Sequence, residues 1–421
     1  AAAVALYAVN GWDAAGRHFH PLFQFQLMGI NGAFLTGDVF NLFVFFEVML
    51  IASYGMLLHG GGPRRLGAGF NYIAINLVGS TLFLFAVGLI YAVTGTLNMA
   101  DLARKVPQVG AGDVALLRTG ALLLLTVFAI KSALVPLHWW LPGAYAAAPA
   151  PAAALFLIMT KVGAYSIIRT STLIFGAEGG PVAQVAAPFV LPAALATLVV
   201  GAAGVLASRA LADLVAFSVV WSMGSLLVAV GLFDVGGLTA ALYYMLHSTL
   251  IGAALFLLAD LVAARRDRWR DRLEASPPMA QATLLGGMFF LAAIAMAGLP
   301  PLSGFIGKVL ILNASRAVPE AAWVWGILLG TSLVVVLGFS RAGSLLFWKA
   351  EAVGDATKGP LRSGALPMAA AALLVSGTAL LAVFAGPVTR HLEAAARQAL
   401  DPAAYVTAVL GAAPEQRLSG R

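Results

Sequence analysis

Cysteine is absent from the 421 residues, so the chain can hold no disulfide, no thiolate metal site and no cysteine-ligated iron–sulfur cluster of its own. Charge is scarce as well: 10% of residues are Asp, Glu, Lys or Arg, against about 25% in an ordinary soluble domain. The six histidines are scattered, with no second His, Asp or Glu at ligand spacing from His247 and no evident co-ligand for His138, which disfavours a metal centre. No phosphate loop, hydrolase triad or dinucleotide fingerprint occurs, and the Gly67 to Gly69 match lacks the strand and helix that such a site needs. These absences leave no sign of a bound cofactor.

What fills the chain is apolar. Hydrophobic residues make up 61%, and the mean hydropathy is +0.92. Stretches long enough to span a bilayer, which takes roughly 20 residues each, recur from Phe23 to Gly386 and leave no room for a sizeable soluble domain. The sequence therefore predicts an all-α polytopic membrane protein. Spans fall near 22 to 37, 39 to 59, 71 to 94, 114 to 140, 151 to 175, 185 to 206, 212 to 232, 238 to 263, 280 to 313, 321 to 347 and 365 to 387. Residues 1 to 21 read as the end of an upstream helix and a loop, without the charged start and cleavage site of a signal peptide. Residues 388 to 421 form an amphipathic tail, with Leu392, Ala396 and Leu400 opposed to Arg390, Glu393 and Arg397.

The net charge of +7 does not point to nucleic acid, because the basic residues sit in short loops between apolar segments. One set of alternate loops carries Arg17, Arg64, Arg65, Arg209, the run Arg265, Arg266, Arg268, Arg270 and Arg272, then Lys349, Lys358 and Arg362. The other carries chiefly Arg104, Lys105 and Arg316. The rule that Lys and Arg collect inside makes the first set cytoplasmic.

Proline interrupts two of the spans, in K-S-A-L-V-P-L-H-W-W-L-P at 131 to 142 and G-L-P-P-L-S-G-F-I-G-K at 298 to 308. Carbonyls freed by such breaks persist in a membrane only when buried in protein or lining a wet cavity. A pair of broken helices, each with a lysine beside the break, is the pattern of a transporter made of two related halves. Blocks 22 to 175 and 185 to 347 would be those halves.

Five ionisable residues lie deep in the apolar stretches: Glu47, Lys131, Lys161, His247 and Lys308. Each costs at least about 2.5 to 3.5 kcal/mol at mid-membrane, so each needs an internal partner or a task. Two readings stand for each. Glu47 is a structural bridge to a lysine or a carboxylate that tunes one. Lys131, Lys161 and Lys308 either snorkel to the interface or act as amines that give and take protons, and His247 is a packing residue or a relay that titrates near neutral pH.

Three runs carry a resemblance: G-D-V-F-N-L-F-V-F-F-E-V-M-L-I-A-S-Y at 37 to 54, K-S-A-L-V-P-L-H-W-W-L-P-G-A-Y-A-A-A-P-A-P at 131 to 151, and A-G-L-P-P-L-S-G-F-I-G-K at 297 to 308. They resemble the D-type subunits of the Mrp-type (Pha, Mnh) multisubunit cation/proton antiporters, homologous to the antiporter-like subunits of respiratory complex I. The resemblance implies an antiporter-like fold with two inverted five-helix repeats and helices upstream of Ala1. It implies a protein that moves protons in exchange for Na+ or K+ in a bacterial inner membrane, among the other subunits of its complex. It also assigns Glu47 and Lys131 as the charge pair of the first half-channel, Lys161 as the next station, His247 as the central link and Lys308 as the exit. The lysine that several complex I relatives carry near Gly252 is missing. The rival implication is a proton-pumping component of a redox complex.

Overall fold

The computed structural model describes residues 1–349 and 364–411. Lys358 and Arg362 of the basic loop set, and the end of the tail, lie outside them. Among the described residues every element is a helix, and nine helices are long and apolar enough to cross a membrane.

The first half opens with α1 (Ala2–Ala8), α2 (Phe19–Leu35) and α3 (Val39–Leu58). Next come α4 (Pro63–Thr94), the short α5 (Met99–Lys105), α6 (Val114–Lys131), α7 (Trp140–Ala147) and α8 (Ala150–Leu173). The second half repeats the order with α9 (Ala187–Ala207), α10 (Leu211–Val230), α11 (Val235–Ala263), α12 (Ala282–Ala297), α13 (Ser303–Ala314) and α14 (Ala321–Gly343). It is followed by α15 (Ala365–Val383), α16 (Ala385–Ala399) and α17 (Pro402–Leu410).

A spacing in the chain shows the repetition. In α2, a side chain added at Gly29 would collide with the Met49 backbone and one at Gly32 with the Phe45 ring. In α9, Gly201 and Gly204 stand in the same relation to Trp221 and Phe217. All four positions of the second set lie 172 residues after those of the first. Lipid provides no hydrophobic drive between helices, so close approach over small residues takes its place, and the same device locks α2 to α3 and α9 to α10.

Each sequence-predicted span contains a helix, with two corrections. The span at 114 to 140 is not one helix: α6 stops at Lys131, well before Pro136, and α7 begins at Trp140. The span at 280 to 313 is likewise divided between Ala297 and Ser303. A proline disfavours helical backbone at the residue before it and removes a donor. Here the chain unwinds over several residues, and the Ile130 carbonyl, which takes a tight-turn bond from Ala133 N–H in place of its helical partner, also accepts from the Trp140 indole at 3.0 Å. In addition α4 starts at Pro63 rather than near 71, with proline in the first turn, where its missing N–H costs nothing.

The loops sort by side as the charge pattern required. At one end Arg64 pairs with Asp213 at 3.3 Å, Arg65 donates to the Ala147 carbonyl and Leu273 N–H donates to Arg209 O. Arg266 closes the arginine-rich turn by donating to the carbonyls of Arg270, Arg272 and Glu274. At the other end Val39 N–H donates to Leu97 O and Met99 N–H to Gly37 O, and the Arg169 guanidinium lies over the Tyr405 ring of α17. The tail helix α16 begins at Ala385, lies against α11 and α8, and buries Ala396.

Candidate functional site

Four of the five candidates are buried: Lys131, Lys161, His247 and Lys308. Glu47 is half-buried.

Lys131 is the last residue of α6. Its Nζ donates to Asn76 Oδ1 at 2.8 Å. The Glu47 carboxylate accepts from the Ser80 hydroxyl. Asn76 and Ser80 are four apart on α4, hence on one face, and α4 packs against both α3 and α6. Lys131 and Glu47 are thus coupled through α4, and the direct ion pair expected from the sequence is absent among the described residues, where the pairs within 4.0 Å involve neither residue. The intervening helix is the reason: α4 puts an amide and a hydroxyl where a direct bridge would close. The face continues downward, with Asn76 donating to Tyr72 O and the Tyr72 hydroxyl bonded to Ser53 at 2.9 Å.

Lys161 lies halfway along α8. Two residues on, Gly163 sits so close to the end of α6 that a side chain there would collide with the Ser132 hydroxyl and the Lys131 carbonyl carbon. That contact brings the two lysine-bearing segments together. The Lys161 ammonium has no hydrogen-bond partner. The Lys161 side chain is one of those lining an open, largely apolar pocket of about 280 Å³, with Phe34, Ile158, Met245, Leu246, Thr249 and Leu250.

In the second half, His247 Nδ1 is 2.9 Å from the hydroxyl of Ser303, which begins α13, and its Nε2 has no partner. Gly304 leaves room for the imidazole, because a side chain there would meet the ring. One turn later Lys308 donates to the Ala297 carbonyl, at the break, and to Ser332 Oγ at 2.7 Å. Its ammonium lies 4.3 Å from the centroid of the Trp221 ring. Gly298, at positive φ where a side chain would be strained, packs directly on the lysine stem.

The structure therefore joins Glu47 with Lys131 through neutral polar groups, brings His247 and Lys308 together beside the second break, and places Lys161 beside the end of α6. No side-chain hydrogen bond joins Lys161 to His247. Near that gap Gly252 packs on Leu157, and a side chain at 252 would strike the leucine's Cδ1. Leu157 fills the space beside Gly252 that any longer side chain there would need. Sequence reasoning missed Asn76, Ser80, Ser303, Trp221 and Ser332. Only the first two had a signal, as two polar residues at helical spacing in an apolar run.

A family model described as NADH:quinone oxidoreductase/Mrp antiporter, transmembrane, matches residues 36–338. The chain belongs to this family. It is 41% identical over 98% of its length to the D-type subunit of a probable K(+)/H(+) antiporter of Rhizobium meliloti, covering 81% of that protein. It is 39% identical over 92% of its length to the D-type subunit of the Na(+)/H(+) antiporter of Bacillus subtilis, covering 77% of it. A chain in the Mrp complex of Dietzia superimposes with a TM-score of 0.85 at 30% identity, over 97% of this chain and 83% of that one. The chain is thus a multi-pass membrane protein with the antiporter-like fold, and its relatives are named antiporter subunits rather than enzymes.

Proposed function

We infer that this chain is the proton-translocating D-type subunit of a multisubunit monovalent cation/proton antiporter. It relays protons through Glu47, Lys131, Lys161, His247 and Lys308 while Na+ or K+ leaves the cytoplasm. Residues 22–175 and 185–347 are the two half-channels of this reading.

The observation that carries it is the chemistry around Lys131 and Lys308. Each is buried beside a helix break and hydrogen-bonded to neutral acceptors, Asn76 in one half and Ala297 O with Ser332 in the other. An amine fixed against a carboxylate keeps its proton, whereas one held by dipoles in a low dielectric gives it up at modest cost. Glu47, linked through Ser80, favours the ammonium at Lys131 without capturing it. His247, with one nitrogen on Ser303 and the other free, can accept on one side and donate on the other once its tautomer changes. No covalent step is needed; the work is proton transfer between fixed stations.

The high identity to antiporter subunits of both cation types favours this reading over a component of a redox complex. The test is exchange in everted membrane vesicles from cells lacking other antiporters, with the complete complex expressed. Addition of Na+ or K+ to energised vesicles should dissipate the proton gradient, and omission of this chain should abolish the response. Cation-independent proton pumping driven by a redox substrate would overturn it.

A further inference from the structure

The two halves share a frame but not a chemistry. Position 219 corresponds to Glu47 by the 172-residue spacing that relates the glycine contacts, and it is a buried valine. No acid takes its place: α12, α13 and α15 contain no Asp or Glu, and the Asp213 of α10 is bonded to Arg64 at the loop end. The only charged residue of α14, Arg341, is held by the Ser208 carbonyl. On α11, His247, Tyr243 and Tyr244 stand against Gly304 and Gly307 of the lysine's own helix and supply no carboxylate, and the one acid of α11, Asp260, is held by Tyr7 and Trp12. What stands two residues from Val219 is Trp221, fully buried, with its ring under the ammonium and its Nε1 fixed to Thr331 Oγ1 at 3.0 Å. The corresponding residue in the first half is Met49.

We propose that Trp221 is a positioning residue that takes the place of the missing carboxylate, holding the Lys308 ammonium on its indole face. The inference rests on Lys308 acting as a relay station. A ring face attracts a cation without being able to accept its proton, and in a desolvated site the attraction reaches about 2 kcal/mol or more. Trp221 therefore favours the charged amine but never competes for the proton, and the Thr331 bond anchors the ring against Lys308.

The experiment uses the complete complex in everted vesicles, with exchange followed against pH and complex yield measured for every variant. Trp221→Leu should move the alkaline limb of the profile down by about 1.5 pH units, the equivalent of the lost attraction. Trp221→Phe, which keeps a weaker ring, and Thr331→Val, which keeps the indole but frees it from its anchor, should each move it less in the same direction. If Trp221→Leu fails to assemble, Phe and Val variants decide the matter alone. Limbs at the wild-type pH in the assembled Leu or Phe variant, or a move in Thr331→Val equal to that of Trp221→Leu, would overturn the assignment. Lys308→Ala separates the two claims: lost exchange there with an unmoved Trp221 profile removes this inference only, whereas full exchange removes the relay station and the inference together.

Discussion

Replacing Asn76 by leucine, a side chain of similar volume, takes away the hydrogen-bond acceptor of Lys131 and leaves little room for water to replace it. A hydrogen bond to a charged group is worth about 1.5 to 3 kcal/mol, and about 1.36 kcal/mol corresponds to one pH unit. The buried lysine would answer by carrying its proton less often, not by unfolding the protein, because a buried charge without a partner neutralises. Exchange in Asn76→Leu should consequently retain its rate at low pH and fail about one to two pH units earlier on the alkaline side. Asn76→Asp makes the opposite change. A carboxylate in place of the amide that now lies 2.8 Å from the amine would trap the proton, so the alkaline limb should extend and the maximal rate should fall. Both variants are read in everted vesicles by fluorescence dequenching on cation addition, with complex yield as the control. Wild-type profiles in both would refute the coupling of Lys131 through α4.

Gly252→Lys alone should lower complex yield, since its side chain meets Leu157, and Gly252→Lys with Leu157→Ala should recover it; equal yields would show that the space is not limiting. Gly201→Val should abolish assembly, because its Cβ would collide with the Trp221 backbone nitrogen, and normal yield would count against the glycine contact. Trp269→Cys in this cysteine-free chain should resist an impermeant thiol reagent added to intact cells, and ready labelling would invert the topology.

The spans and their alternation were legible because twenty apolar residues have one explanation in a chain with so little charge. The breaks were legible from Pro136 and Pro300, but their extent was not. The Ile130 carbonyl accepts locally from Ala133 N–H and also from the Trp140 indole, ten residues on, and that second bond depends on the fold. The five buried ionisable residues stood out because polar groups in hydrocarbon are costly. Their partners did not: Asn76 and Ser80 were visible as a polar pair on α4, yet nothing in the sequence said which helix they faced. Trp221 was one apolar residue among many: its place over Lys308 comes only from the packing of α10 on α13, and its correspondence to Met49 rests on a 172-residue spacing that is hidden among 45 glycines until the contacts of Gly29 and Gly201 pick it out. The helix α5 was overlooked although Asn98 supplies its cap by accepting from the N–H groups of Ala100 and Asp101.

The most direct test of the relay compares complex yield and cation-dependent exchange in Glu47→Gln and Lys131→Ala. If these residues served only to hold helices together, deleting one partner would cost assembly, as breaking a buried pair does, by about 3 to 5 kcal/mol. Because Glu47 is half-buried and bonded to Ser80 rather than to the lysine, the relay predicts normal yield and no exchange in both variants. Full exchange in an assembled Glu47→Gln complex would contradict it.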